Sequence, residues 1–169
     1  MTSGTATPAK RVDVVKLVLV KDGADFRYAS RRVQTPKDAA ELLRDRLEDL
    51  PREESWIACL NVKNEVTCVS MVSAGDVSSA IIHPREGFKT AALANAASVL
   101  LFHNHPSGDP APSREDVAVT RRLRQAGDLL GIPVLDHIVV GSDGRFTSLR
   151  EMKADGCFPV TRKAEDQLS

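Results

Sequence analysis

The sequence predicts one α/β domain in which helices flank a mixed β-sheet. Runs of apolar and β-branched residues alternate with segments whose apolar residues recur at helical spacing, and turns containing Gly or Pro separate them. At 169 residues the chain can enclose one sizeable core but is short for two ordinary domains. We therefore expect the domain to occupy residues 11–158, between flexible ends at 1–10 and 159–169.

Seven segments are typical of strands because they are rich in apolar or β-branched residues and end at turn signals. In chain order they are 12–20, 56–62, 66–72, 77–82, 98–102, 134–140 and 145–149. Lys63, Asn64 and Glu65 separate the second segment from the third, which indicates a hairpin. The turn at 141–144 indicates a second hairpin at the end of the domain.

Three segments combine helical spacing with a start signal. In the first, Thr35 is an N-cap, Pro36 fits the first turn and Asp38 stands at the capping-box position. The second opens at Pro84 and the third at Ser113. The apolar stripes are Ala39, Leu43, Leu47 and Leu50 in the first, Phe88, Ala91, Ala92, Ala96 and Val99 in the second, and Val119, Leu123, Ala126 and Leu130 in the third.

The charge balance gives no support to a protein that holds nucleic acid through a broad basic surface. Lys and Arg total 23, as do Asp and Glu, so the formal net charge is zero. Binding of that kind needs clustered excess cations. We interpret Arg121, Arg122 and Arg124 as a solvated helix face, so DNA is a partner that the charge does not favour.

Cysteine usage and hydropathy predict a reduced, cytoplasmic setting and no membrane partner. The three cysteines are an odd number without a CxxC spacing. Cys59 and Cys68 lie in strand segments, where a thiol behaves as a small apolar group. The polar start has no secretory apolar region, and no apolar run approaches membrane-spanning length.

Two histidines at the end of an apolar strand are the strongest functional signal. His103 and His105 follow the run 98–102, and alternate residues of a strand project to the same face, so both imidazoles can reach one point. A turn rich in Pro and Gly then leads to a helix start, 113–116, that carries a serine and carboxylates. Two neutral nitrogens and one carboxylate form a ligand set for a catalytic zinc ion with an open fourth position.

Each part of this pattern also has a purely structural interpretation. A serine with an acid three residues later is a capping box, which explains Ser113 and Asp116 without a metal. The strand histidines could be polar residues beside a turn. Because both histidines, the return loop and the acid occur together in one short stretch, we favour the metal site. We interpret His83 and His137 as structural, with orientation of a ligand or of the substrate as the alternative.

The spacing resembles the motif of the JAMM (MPN/JAB) metalloprotease superfamily, in its bacterial RadC-like branch. His103-x-His105, seven residues, Ser113, two residues and Asp116 match the zinc-site motif. The flanking matches are His83-Pro84-Arg85-Glu86, Asn95-Ala96-Ala97, His103-Asn104-His105-Pro106-Ser107-Gly108 and Leu135-Asp136-His137-Ile138. The likeness covers roughly residues 35–151 and implies a single MPN/JAB-like, cytidine-deaminase-like domain. Full-length relatives carry an N-terminal helix-hairpin-helix DNA-binding region, and we expect a short form without it.

The resemblance implies a role for each residue of the motif. His103, His105 and Asp116 would ligate zinc, which lowers the pKa of a bound water to about 7. Ser113 would donate a hydrogen bond to the developing oxyanion. A glutamate from the end of the first helix would be the general base and then the general acid.

Two glutamates stand where that general base is expected. Glu53 and Glu54 both follow Leu50-Pro51-Arg52, and neighbouring strand residues project to opposite faces, so only one of them can face the metal. The order Pro-Arg-Glu before an apolar strand is similar to the family and favours Glu53, with Glu54 as the alternative.

The predicted function is therefore zinc-dependent hydrolysis of an amide bond in a peptide or an isopeptide. The alternatives are a non-catalytic MPN-type interaction module that keeps its metal for structure, and the DNA-repair-associated factor that the RadC name suggests. No pattern in the sequence specifies a particular substrate or an oligomeric state.

Overall fold

A computed structural model describes residues 12–23, 28, 32–75, 82–153 and 157–158. The described part confirms the α/β prediction, with a mixed five-stranded sheet between helices. The strands are β1 (Glu53–Leu60), β2 (Val66–Gly75), β3 (Ser98–Asn104), β4 (Val134–Val140) and β5 (Phe146–Ser148), and the helices are α1 (Pro36–Leu47), α2 (Pro84–Leu93) and α3 (Arg114–Leu130).

Strand β3 lies at the centre of the sheet, whose order is β2-β1-β3-β4-β5. It pairs antiparallel with β1 and parallel with β4, and α3 makes the crossover between the two parallel strands. The other pairs are the predicted hairpins β1–β2 and β4–β5. As a result, the carboxyl end of β3 meets the start of α3, flanked by β1 on one side and β4 on the other.

The sheet has two apolar faces because successive side chains of each strand alternate. One face packs under α1, and its cluster includes Trp56, Ala58, Leu60, Leu100, Phe102, Ile138 and Val140 with Leu43 and Leu47 of the helix. The opposite face packs under α2 and α3, and its cluster includes Ile57, Cys59, Val99, Leu101 and Val139 with Phe88, Ala91 and Leu123 of the helices. Cys59 is thus a core residue, as predicted.

The helices begin at the predicted signals. Thr35 and Asp38 form a reciprocal capping box at α1, with Asp38 N to Thr35 Oγ1 at 3.2 Å and Thr35 N to Asp38 Oδ2 at 2.9 Å. His83 caps α2 by accepting a hydrogen bond from the amide of Arg85. Helix α3 ends at Gly131, whose φ of 70° is the left-handed conformation that a glycine adopts most easily.

Two predictions were wrong, one in the existence of a strand and one in the length of a helix. Segment 12–20 forms no strand, and its seven apolar residues are each at least 48% exposed. A β-branched composition indicates only a preference for extended backbone, and a strand forms only where a neighbouring strand offers hydrogen bonds. Helix α2 ends at Leu93, because Asn95 turns the chain with a φ of 50°, so Val99 lies on β3 and not on the helix.

Several predictions lie outside the described residues. These are the flexible ends at 1–10 and 159–169 and nearly all of the predicted strand 77–82, of which only Ile82 is described and is buried. The domain boundaries therefore stay predictions. Within the described residues, no helix has the length and apolar composition needed to cross a bilayer.

The contact between α2 and α3 predicts a specific effect of Gly127→Ala. A Cβ at this position would lie 2.5 Å from the carbonyl oxygen of Ile132 and 2.9 Å from Cζ of Phe88, so the helices would have to separate. We expect the free energy of unfolding to fall by about 1–3 kcal/mol, measured by urea titration. Gly75→Ala is the control, since no atom of the described residues lies within 4 Å of its added Cβ. Equal stability of the two variants would contradict this packing.

Candidate metal centre

Three side chains from the end of β3 and the start of α3 converge on one point. His103 Nε2 lies 3.0 Å from His105 Nε2 and 3.3 Å from Asp116 Oδ1, and His105 Nε2 lies 3.4 Å from Asp116 Oδ2. Two ligands at 2.0–2.1 Å from a tetrahedral zinc ion stand about 3.3 Å apart. The spacing therefore fits a single tetrahedral ion, and the group could hold a metal.

The return loop between β3 and α3 brings the carboxylate over the histidines. The loop is anchored at Gly108, whose carbonyl accepts hydrogen bonds from Ser142 N at 3.0 Å and from Arg145 Nη2 at 3.0 Å. A Cβ on Gly108 would collide with the Ser142 hydroxyl, and its φ of 76° also favours glycine. The amide of His105 continues the pairing of β3 by donating to the Val140 carbonyl at 3.2 Å.

Hydrogen bonds on the far side of each imidazole orient the two rings. His105 Nδ1 lies 2.8 Å from the carbonyl oxygen of Asp109. Because a carbonyl only accepts, Nδ1 carries a proton, so Nε2 is the ring nitrogen that could bind a metal. His103 Nδ1 lies 2.8 Å from Nε2 of His137, which is buried beside it. The predicted structural histidine on β4 therefore contacts a candidate ligand.

The electrostatics of the group favour an ionised carboxylate beside the imidazoles. Burial alone would raise the pKa of Asp116, but hydrogen bonds from His103, His105 and Ser113 lower it well below its usual range. The hydrogen bond to Asp116 raises the pKa of His105, against the opposing effect of burial, and the charge of Glu53 adds to the increase. Burial lowers the pKa of His137 well below its usual value.

The pairing of β1 with β3 separates the two candidate glutamates. Ser55 pairs with His103, and the same register places Glu53 beside His105, on the face that carries α3. Glu54 projects to the α1 face and is buried. The structure therefore brings Glu53 to the candidate metal centre and keeps Glu54 away from it, while the catalytic role of Glu53 stays a prediction.

Glu54 has a structural set of partners instead. Its Oε2 accepts a hydrogen bond from Trp56 Nε1 at 3.0 Å, and its Oε1 accepts two from the guanidinium of Arg52 at 3.1 Å. Asn104 also projects to this face, as expected from its place between the two histidines. Its side chain accepts from the Glu54 amide at 2.8 Å and donates to the Arg52 carbonyl at 3.0 Å.

Ser113 serves the helix cap and the metal group at once. Its hydroxyl accepts from the amide of Asp116 at 3.1 Å and donates to Asp116 Oδ2 at 2.7 Å. The Ser113 amide donates to the same carboxylate oxygen at 2.7 Å. Both halves of the predicted capping box are therefore present, and the structural interpretation and the metal interpretation hold together.

A small cavity opens beside His105. It has a volume of about 140 Å³ and lies between the return loop and the β4–β5 turn. Its lining residues are Leu47, Asp49, His105, Pro106, Ser107, Gly108, Val140, Gly141 and Ser142. The Pro- and Gly-rich loop thus shapes a recess next to one candidate ligand.

One residue of the site escaped the sequence analysis. Thr120 is fully buried on α3 and touches His137, at 2.5 Å between Oγ1 and Nδ1. A signal for it exists in the sequence, because Thr is an unfavourable residue in a helix interior and stands four residues after Asp116, on the same helix face.

The separate faces of the two glutamates predict different effects of their substitution. Glu54→Ala removes the acceptor of the Trp56 indole N–H and should lower the free energy of unfolding by about 1–3 kcal/mol, while leaving zinc content unchanged. Glu53→Ala is the matched control and should leave stability near that of the wild type. Urea unfolding and metal analysis check both variants. Loss of zinc from Glu54→Ala alone would contradict the assignment of faces.

Comparison with known proteins gives the chain a family. The model of the RadC-like JAB domain matches residues 33–154. The UPF0758 protein of Moorella thermoacetica is 50% identical over 128 residues, which cover 76% of this chain and 56% of that protein. The UPF0758 protein of Desulforudis audaxviator is 49% identical over 126 residues, covering 75% and 53%.

A third relative shows similar coverage: a UPF0758 protein of Methanosarcina barkeri is 46% identical over 121 residues, which are 72% of this chain and 52% of that protein. The chain thus spans about half the length of the curated relatives that it matches. The matched residues include β1, β3, β4 and α3, which build the candidate metal centre. The chain therefore belongs to the RadC-like JAB domain family, in the JAMM superfamily that its histidine and aspartate spacing resembles.

Proposed function

We propose that this domain is a zinc-dependent hydrolase that cuts an amide bond in a peptide or an isopeptide. The observation that carries the proposal is the convergence of two imidazole nitrogens and one carboxylate, with Glu53 on the same face of the sheet. This donor set of nitrogen and oxygen suits zinc and leaves a fourth position open. When bound, zinc supplies a nucleophilic water at neutral pH and polarises the substrate carbonyl.

The residues of the chain would divide the remaining work. His103, His105 and Asp116 would hold the ion. Glu53 would accept a proton from the attacking water and deliver it to the leaving amine nitrogen as the C–N bond breaks. Its half-buried place beside His105 supports this role, because the carboxylate stands close enough for its charge to influence that imidazole.

Ser113 would donate to the oxygen of the substrate carbonyl as negative charge develops there. Its hydroxyl proton points to Asp116 Oδ2 in the structure, at 2.7 Å. A hydroxyl rotates about its C–O bond, so the same proton can turn towards a substrate oxygen when Asp116 is engaged with a metal. The Ser113 amide would continue to hold the carboxylate during that change.

The metal proposal predicts the zinc content of purified protein. The wild type should hold about one zinc ion per chain, and His103→Ala should hold less than about one tenth of that, because two ligands bind zinc weakly. His83→Ala is the control, since that histidine caps α2 and is not one of the three converging side chains. Metal analysis by plasma mass spectrometry checks these values. Equal zinc in the wild type and His103→Ala would overturn the site.

The catalytic proposal predicts the effect of Glu53→Gln. Turnover should fall by about 10²–10⁴-fold, while zinc content and stability stay at the wild-type level. A cell extract with its amines blocked beforehand is incubated with each protein, and newly exposed α- and ε-amines are identified by mass spectrometry. Glu54→Gln is the comparison, corrected for its folded fraction. New amines that Glu53→Gln releases as fast as the wild type would contradict the acid–base role, and none from the zinc-loaded wild type would favour the non-catalytic module.

A further inference from the structure

A chain of buried hydrogen bonds runs behind His103, away from the metal side of its ring. His103 Nδ1 lies 2.8 Å from His137 Nε2, His137 Nδ1 lies 2.5 Å from Thr120 Oγ1, and Thr120 Oγ1 lies 2.6 Å from the carbonyl oxygen of Asp116. The exposed fractions of His103, His137 and Thr120 are 2%, 2% and 0%. None of these three hydrogen bonds is open to water, so each one needs a proton on one of its two atoms.

The hydrogen bond between Thr120 and the Asp116 carbonyl determines where the other protons lie. The Asp116 carbonyl oxygen can only accept, so the Thr120 hydroxyl proton must point to it. A hydroxyl has one proton, and Thr120 Oγ1 must therefore accept from His137, which places a proton on His137 Nδ1.

The other nitrogen of His137 is then left without a proton. Its ring lies in the core against His103 and Thr120, where an imidazolium without a carboxylate partner would be costly, so the ring is neutral. Nε2 of His137 can then only accept, and the contact at 2.8 Å requires His103 Nδ1 to donate.

We propose that Thr120 and His137 are positioning residues that hold His103 in the tautomer whose Nε2 is bare and directed at the metal position. The opposite order of protons would place a hydrogen on His103 Nε2, where it would block a ligand bond. The hydroxyl of Thr120 thus acts on the metal position through two hydrogen bonds. This inference rests on the proposed zinc site.

The geometry of α3 makes the arrangement self-consistent. Thr120 stands four residues after Asp116, so its hydroxyl reaches back to the carbonyl of the residue that supplies the carboxylate ligand. His137 lies on β4 and pairs in register with Leu101, which turns its ring to the same face as His103. One turn of α3 therefore supplies a ligand and also the acceptor that orders the protons leading to a second ligand.

Two substitutions of Thr120 distinguish a positioning role of its hydroxyl from a role in packing. Thr120→Val keeps the shape but removes the hydroxyl, and Thr120→Ser keeps the hydroxyl but removes a methyl group. Zinc affinity is measured by competition with a chromophoric chelator. Thr120→Val should bind zinc about 10–100-fold more weakly, as loss of a partner behind a ligand does, and Thr120→Ser should stay within about 3-fold of the wild type. Thr67→Val is the control, since it removes a hydroxyl that donates to the Cys59 carbonyl at 3.1 Å, on β2.

The protons themselves are observable in the wild type. The chain has four histidines, so the ring nitrogens of ¹⁵N-histidine-labelled protein can be assigned by NMR. We expect the Nδ1–H form for His137 and a proton on Nδ1 of His103, both with and without zinc. In Thr120→Val, His137 should lose its single Nδ1–H form. Thermal unfolding without zinc shows whether that variant is folded.

The outcomes distinguish this inference from the proposed function. A wild-type His137 in the Nε2–H form, or a folded Thr120→Val with unchanged zinc affinity, overturns the positioning role. If Thr120→Val does not fold, the wild-type spectrum decides. If the wild type binds no zinc but shows the expected protons on both rings, only the proposed zinc site is overturned. The proton positions would then have been measured without a metal.

Discussion

The placement of β3 between β1 and β4 is the constraint on which the rest of the site depends. Side chains alternate across a strand, so the register of β3 decides which groups share a face with His103. The antiparallel neighbour brings Glu53 to that face, and the parallel neighbour brings His137. If either pairing shifted by one residue, Glu53 or His137 would move to the opposite face of the sheet. A neighbouring residue of the same strand would then take its place.

The start of α3 couples the stability of the domain to its candidate chemistry. The Ser113 and Asp116 side chains satisfy amide groups at the helix end and also form part of the metal group. A helix N-terminus favours negative charge, so the fold itself helps to keep the Asp116 carboxylate ionised. The hydrogen bonds of the cap therefore also hold the Asp116 carboxylate in place beside the histidines.

Much of the fold could be predicted because its signals are local. The capping boxes at Thr35 and Ser113 and the hairpin after β1 each depend on a few adjacent residues, and all are present. The strand predicted at 12–20 was wrong, since its composition expresses a preference that only a neighbouring strand can satisfy. Helix α2 was predicted too long, because alanines fit helical spacing and a tight turn equally well.

The sequence by itself determined the family and the set of groups that could hold a metal, because His103, His105, Ser113 and Asp116 lie in one short stretch with a recognisable spacing. Only the tertiary structure decided that Glu53 faces this group while Glu54 supports Trp56, and that Thr120 and His137 stand behind His103. The physical reason is that these contacts join strands and helices that are distant in the chain. Their geometry follows from register and packing, which no local pattern records.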